Sequence, residues 1–501
     1  MGPTPQKRER LLVAALCAAA AIRVLVLAAA FPLFDNVDET SHFDLVYRYS
    51  RGDIPRGLAP KSAEAVRIIR YSKTWEYVDT PRSFPGGRTP PPGWAVPRAV
   101  LDRALAEAAA EDATFTNSEG TQQPLYYLLA GGWYRLGELL GQRQGFGAYW
   151  IRFLNAPLVA LMVWVVYLVA GALVPGATAV RLGATVLAAF FPQDAFLSIG
   201  NDVLSPVMVG LAFLALVKLA EGEPKGIAPH VLAGLAVSAS VLTKLTNVPV
   251  LGVAAAVAAV ELLAARRSGK SSAAWPRVAA LAAAIALPAG LWAARNYAIL
   301  GNFTGMAQKA ARLDWTPKPL GEVLHHPIFT PSGLWYFLDG LLASFWRGEF
   351  YWHGERLAWA GADVFYVLSS LLLLSVAAFA VLRRRREGAP HERFGLRMGW
   401  LLLLLSVLLL AWGSMAYDFG RCRYPSRELP FITSGRLMGG ALAPFLCLYV
   451  LGLDRLLSRF GAGRAVLPVV TLVASAITIV EIVLALGAFA SRFNWFHMVA
   501  A

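Results

Sequence analysis

The chain has 501 residues, of which 57% are hydrophobic and 16% charged, and its formal net charge is +14. Soluble proteins carry about 25% charged residues, so a soluble enzyme is excluded; the basic residues sit in short loops between apolar runs, which fits the positive-inside rule rather than nucleic-acid binding. Cys17, Cys422 and Cys447 are scattered with no CxxC pair, which excludes a cysteine-zinc site and a disulfide framework.

Several runs of about 18 or more apolar residues predict an all-α polytopic membrane protein with about 11 transmembrane helices. Lys7, Arg8 and Arg10 set the N-terminus in the cytoplasm, and residues 11–31 read as a retained first span rather than a signal peptide. A long polar region follows, 32–150, the first of two large outer-face regions carrying interfacial helices. It opens with "FDNVDETSHFD" and contains the amphipathic piece "RALAEAAAEDA". Residues 124–140 are apolar but short, and Arg135 and Glu138 interrupt them. They read as an interfacial helix, because a crossing there would flip every later loop.

Later spans are expected at 153–174, 179–194 and 203–219. The run 229–264 is too long for one crossing and reads as two short spans meeting near Lys244. Further spans follow at 276–294, 361–382, 397–416, 437–454 and 465–490. The loops "KLAEGEPKG", "ARRSGK" and "RRRR" then all fall inside. The second outer region, 295–360, holds "LWYFLDGLLASFWRGEFYWHGERLAW", which reads as an interfacial aromatic belt or as a loop covering an acceptor cavity, with His353 and Glu355 as candidate contacts. A basic loop at 417–436 breaks the charge rule and invites an anionic ligand. Three units result: 1–296 as the catalytic transmembrane module, 297–360 as an outer loop, and 361–501 as the C-terminal helices.

Two outer loops are acidic. Asp38, Glu39 and His42 share a helical face if their segment is helical; they then suit a general base or a metal site, or simply an acidic helix start. Asp35 reads as a cap and Asp44 as a solvated residue. Asp194 and Asp202 flank the next outer turn, where Asp202 is also a sound N-cap. Lys244 in "VLTKLTN", Arg295 in "AARNY" and Arg436 in "TSGRLMGG" lie on the same side of this topology. Lone cations at span ends are snorkelling anchors or, beside carboxylates, holders of a lipid-linked phosphate. Arg421, Arg423 and Arg427 add to that charge. There is no P-loop and no GxGxxG, which argues against direct use of a nucleotide.

These motifs, in this order, resemble the GT-C superfamily of integral membrane glycosyltransferases, including bacterial protein O-mannosyltransferases and the aminoarabinose transferases of lipid A. "VDETSHF" after span 1, "TQQPLYYLL", "SIGNDVL", "LTKLT", "ARN" and "SGRLMGGALAPF" carry the likeness across most of the chain. The resemblance implies transfer of a sugar from a polyprenyl-phosphate-linked donor to a lipid, glycan or protein acceptor on the outer face of the cell membrane. It implies Asp38 as general base with Glu39 as its partner. His42, Asp202 and Asp194 would position the acceptor or a metal, and Lys244, Arg295, Arg436, Arg421 and Arg423 would bind the donor phosphate. Arg436-Leu437 stands where the family pattern has Arg-Tyr, and Gln123-Pro124 where it has Pro-Pro. Whether a divalent metal is a cofactor stays open, and a transporter or flippase of a lipid-linked or anionic substrate is the competing reading.

Overall fold

A computed structural model describes residues 5–34, 36, 38–112, 116–221, 226–269, 271–383 and 390–500. Asp35, most of the "RRRR" run, residues 222–225 and Lys270 lie outside the described residues.

The helices in chain order are α1 (Pro5–Ala30), α2 (Glu39–Ser50), α3 (Ala63–Ser72), α4 (Arg98–Asp112), α5 (Leu125–Leu139), α6 (Gln144–Phe153), α7 (Asn155–Leu173), α8 (Thr178–Ala189), α9 (Ser205–Ala220) and α10 (Ile227–Thr243). They continue as α11 (Pro249–Arg267), α12 (Ser271–Leu300), α13 (Met306–Arg312), α14 (Leu320–Val323), α15 (Pro331–Arg347), α16 (Ala360–Arg383), α17 (Pro390–Ala416), α18 (Leu442–Arg459), α19 (Val466–Ala490) and α20 (Trp495–Ala500). Among the described residues, β-structure consists of two two-residue strand pairs, 316–317 with 417–418 and 351–352 with 355–356, and one bridge between Pro60 and Thr116.

Nine helical stretches among the described residues are long and apolar enough to cross a membrane, and α8 and α10 are shorter apolar helices. These match the eleven expected spans one for one. Helix α5 is not among them; Arg135 and Glu138 interrupt its 15 residues.

Burial follows composition. Helix α18 is buried without a break from Leu442 to Gly452, as an all-round apolar helix should be at the centre of a bundle. Helix α12 buries only Ala274, Leu281, Ala284 and Asn296 and lies at the periphery against α10. Helix α2 packs on α5, and α1 on α7. The aromatic segment 334–359 is more than a belt: α15 drives Phe345 and Trp346 into the bundle, where Trp346 stacks on Tyr366 and donates from Nε1 to Ser370 Oγ at 3.0 Å. Trp335 and Tyr336, near the start of α15, stay exposed.

The apolar run 229–264 breaks where a lysine interrupts it. Lys244 is extended (φ −158°, ψ 138°), a short 3₁₀ turn follows, and Pro249 opens α11. The carbonyls freed by the break are not stranded. Asn247 Nδ2 donates to Ser240 O at 2.9 Å and Asn201 Nδ2 to Thr243 O at 3.2 Å. Irregular backbone inside an apolar bundle survives only when its polar groups are paired in this way.

Candidate functional site

Four distant stretches of chain deliver charge to one place. Asp38 precedes α2, Asp202 lies in the 3₁₀ turn before α9, Lys244 marks the break between α10 and α11, and Arg436 opens a 3₁₀ segment before α18. Arg436 is the hub. Its guanidinium lies 3.2 Å from Asp38 Oδ2, 3.4 Å from Asp202 Oδ2 and 3.6 Å from Glu349 Oε2. Lys244 donates to the other oxygen of Asp202. The backbone before Arg436 fits only because residue 435 is glycine: a Cβ there would stand 2.0 Å from Phe345 N. Asp202 does not act as a side-chain N-cap of α9, whose cap is Leu204.

The contacts of Arg436 are long for charge-assisted bonds, which run about 2.7–2.9 Å. No carboxylate holds the guanidinium in a tight fork. Asp38 is the open member, its side chain 32% exposed against 5% for Asp202. Its backbone is left-handed (φ 66°, ψ 0°) and its side chain caps nothing. Such a conformation costs about 1–3 kcal/mol in a residue other than glycine, and Asp and Asn bear it best.

Glu39, the next residue, goes elsewhere. It is fully buried and takes both Arg152 Nε and Nη2 at 2.7 Å, with backbone N–H groups of Phe34 and Ile199 at 2.8 and 2.9 Å. Arg152 in turn donates to the carbonyls of Ala28, Phe31 and Pro32. This knot ties the end of α1 to α2, α6 and the turn before α9. Asp38 and Glu39 therefore share no face.

His42 is buried, with Nδ1 2.6 Å from the Tyr127 hydroxyl. Burial pushes its imidazole below the ordinary value, against the pull of Glu119, Asp38 and Asp202. Glu119 is the partner that sequence reasoning missed. Burial pushes its carboxyl up, but Lys309 at 2.5 Å, His42 and a hydrogen bond from Gln122 outweigh this and hold it at about 2. Asp194 is buried beside the cluster, where its Oδ2 accepts from Glu349 N at 2.5 Å and Oδ1 has no protein partner. Burial drives its carboxyl up to about 7.

Several expectations change. Asp44 is not solvated: it is fully buried and accepts from Ser62 N and Asn117 Nδ2, both at 2.8 Å, because α2 turns that face toward the 60–62 and 116–117 segments. Arg295 stands apart, donating to Pro55 O at 2.7 Å and lying over the Trp292 ring. Arg421 is exposed 3.8 Å from Asp314, Arg423 is exposed, and Arg427 pairs with Asp418. The basic loop therefore answers its own acidic neighbours and does not line the cluster. In the aromatic segment, His353 donates its backbone N–H to Glu76 O and Glu355 is exposed; Glu349 is the residue that reaches Arg436. Glu349 and Arg152 carried no signal beyond their type. A Glu in "RGEF" and an Arg at a span edge are ordinary until tertiary packing pairs them. Among the described residues no group of three His, Cys, Asp or Glu side chains is arranged to hold a metal ion.

The family described as "Predicted membrane protein (DUF2142)" matches residues 22–424. The chain belongs to this family. The match takes in Asp38, Asp202, Lys244 and Glu349 and stops short of Arg436. No curated protein is similar enough in sequence to match. In structure the chain is similar to ArnT from Cupriavidus metallidurans bound to undecaprenyl phosphate, at 13% identity and a TM-score of 0.49, over 95% of this chain and 77% of that one. It is also similar to the oligosaccharyltransferase AglB from Archaeoglobus fulgidus in complex with an inhibitory peptide and a dolichol-phosphate (12%, 0.47), and spans 56% of that chain while 96% of its own length is covered. The arabinosyltransferase EmbB from Mycobacterium smegmatis aligns over 97% of this chain and 38% of its own, at 10% identity and a TM-score of 0.42.

Proposed function

We propose that this DUF2142 protein is a membrane glycosyltransferase that moves a sugar from a polyprenyl-phosphate-linked donor to an acceptor hydroxyl on the outer face of the membrane. The observation that carries the reading is the loose hold of three carboxylates on Arg436, beside an exposed and strained Asp38. Asp38 takes the proton of the acceptor hydroxyl, whose oxygen attacks the anomeric carbon. The bond from that carbon to the phosphate oxygen breaks, and polyprenyl phosphate leaves with the electron pair. Arg436 meets the charge growing on the phosphate by exchanging its long carboxylate contacts for phosphate oxygens. Lys244 keeps Asp202 ionised and in place, so that Asp202 orients Arg436. Glu39 acts through the backbone, holding the turn that carries Asp38.

The test is Asp38→Asn in proteoliposomes supplied with native membrane lipid, with transfer read as loss of the lipid-linked sugar by mass spectrometry. Asn tolerates the left-handed backbone, so the variant is expected to fold and to retain donor while transfer falls about 10²–10⁴-fold. Normal turnover in this variant would sink the base assignment. A lipid-linked substrate that crosses the bilayer unmodified would favour the transporter instead.

A further inference from the structure

Behind the charged cluster lies a second feature that the reaction leaves unused. An open groove of about 850 Å³ runs between α2, α3, α4 and α5, within the size range of small-molecule and cofactor sites, about 300–1,000 Å³. It sits on the far side of α2. On α2, Tyr47 comes five residues after His42, which at about 100° per residue turns it about 140° away. Tyr134 and Phe43 pack edge to face between the two sites. The groove is therefore a separate site, not the mouth of the first.

Its lining is unusual for a lipid groove and for a polyanion site. Four aromatic side chains, Tyr47, Tyr71, Trp94 and Tyr134, line it. Gly93 allows the Trp94 loop to close on α3, since a Cβ there would stand 2.5 Å from Tyr71 O. Five arginines, at 51, 67, 98, 135 and 143, alternate with Glu64, Asp102 and Glu138. Much of that charge is answered inside the groove. Arg51 and Arg135 both bond Glu138, and Arg98 lies 3.9 Å from Asp102. What remains is the half-buried rings of Tyr71 and Trp94, with planar donors and acceptors of both kinds and the amide of Gln142; Tyr134 is buried and Arg51 lies over the Tyr47 ring.

We infer that this groove binds an uncharged oligosaccharide segment, holding an extended glycan acceptor against the protein at a distance from the reacting end. Flat aromatic rings match the apolar faces of sugar rings. Hydroxyl groups both donate and accept, and so use guanidinium and carboxylate groups side by side. A phosphate-rich lipid surface would find three carboxylates in its way. The inference deepens the transferase reading by naming the acceptor class, and it rests on that reading only for the purpose of binding, not for the binding itself.

The experiment is titration of the full chain, purified in detergent, with maltohexaose, cellohexaose and mannohexaose, and separately with phosphatidylglycerol vesicles. Saturable binding of at least one hexasaccharide is expected. Trp94→Ala and Arg67→Ala should each weaken it about tenfold, Trp94→Phe should restore most of it, and Asp38→Asn should leave it unchanged. Thermal unfolding of each variant checks that it is folded, and Arg67→Ala, a change of an exposed side chain, keeps the test open if Trp94→Ala does not fold. The inference is overturned if no hexasaccharide saturates, if binding survives both groove substitutions, or if those substitutions alter vesicle binding alone. A chain that binds a hexasaccharide through the groove but transfers no sugar would sink the transferase reading and uphold the groove.

Discussion

Asp38 and Glu39 are neighbours in sequence and opposites in role, and each meets an arginine. Glu39 is saturated: Arg152 grips it by two bonds of 2.7 Å, two backbone N–H groups fill its remaining positions, and both side chains are wholly buried. Among the described residues the Asp38 side chain has one hydrogen-bond partner, Arg436 at 3.2 Å, and it keeps a third of its surface exposed. A saturated ion pair has nothing left to give a ligand and serves architecture. An unsaturated one, held in a strained backbone, is where chemistry can occur. Charge alone does not separate the two; the number of partners does.

The contrast can be broken experimentally. The largest effect on folding is expected from Arg152→Ala, which takes the buried cation away from the buried Glu39 carboxyl. Loss of about 3–5 kcal/mol is expected, read as a collapse of the thermal unfolding temperature in detergent and of folded yield. A variant that unfolds like the wild type would place Glu39 in a wetter setting than its burial implies. Next comes Arg436→Ala. Asp202 keeps Lys244 and Asp38 keeps its access to solvent, so unfolding should shift less than in Arg152→Ala while sugar transfer falls about 10²–10³-fold. Equal loss of stability and activity would turn Arg436 into a second structural knot.

A smaller effect belongs to Asp194. Its folded carboxyl is raised to about 7, above the unfolded value of 3.8. Between those values the folded state binds more protons than the unfolded one. The contribution of this group is therefore fully present below about pH 4 and is lost as pH rises through about 7. Asp194→Asn keeps an acceptor for Glu349 N and removes the titration. Relative to wild type it should flatten the decline in stability across pH 4–7, measured by unfolding at several pH values. Parallel curves would remove Asp194 from that slope. The smallest effect is expected at Arg423→Ala, an exposed loop residue away from the cluster. Transfer and unfolding should both stay unchanged, and a tenfold fall in transfer would restore the basic loop to the donor site.

Most of the architecture was legible in the sequence because apolar length and basic loops are local quantities. Among the described residues, the eleven apolar helices and the break at Lys244 follow from hydropathy and charge. Half of the site was legible as well. Asp38, Asp202, Lys244 and Arg436 stand in the chain where isolated polar residues meet span ends, which is a visible signal. Arg295, Arg421 and Arg423 stand in equally visible positions and go elsewhere. Glu119, Lys309 and Glu349 gain their meaning only from burial and from their partners.

By itself, then, the sequence determined that this chain is a bundle of about eleven apolar helices with charge concentrated at their ends, because the bilayer acts on each segment separately. Only the tertiary structure decided which carboxylate is free. That choice depends on how many donors converge on each oxygen, and the charged donors come from residues more than a hundred positions away: Arg152 for Glu39 and Arg436 for Asp38.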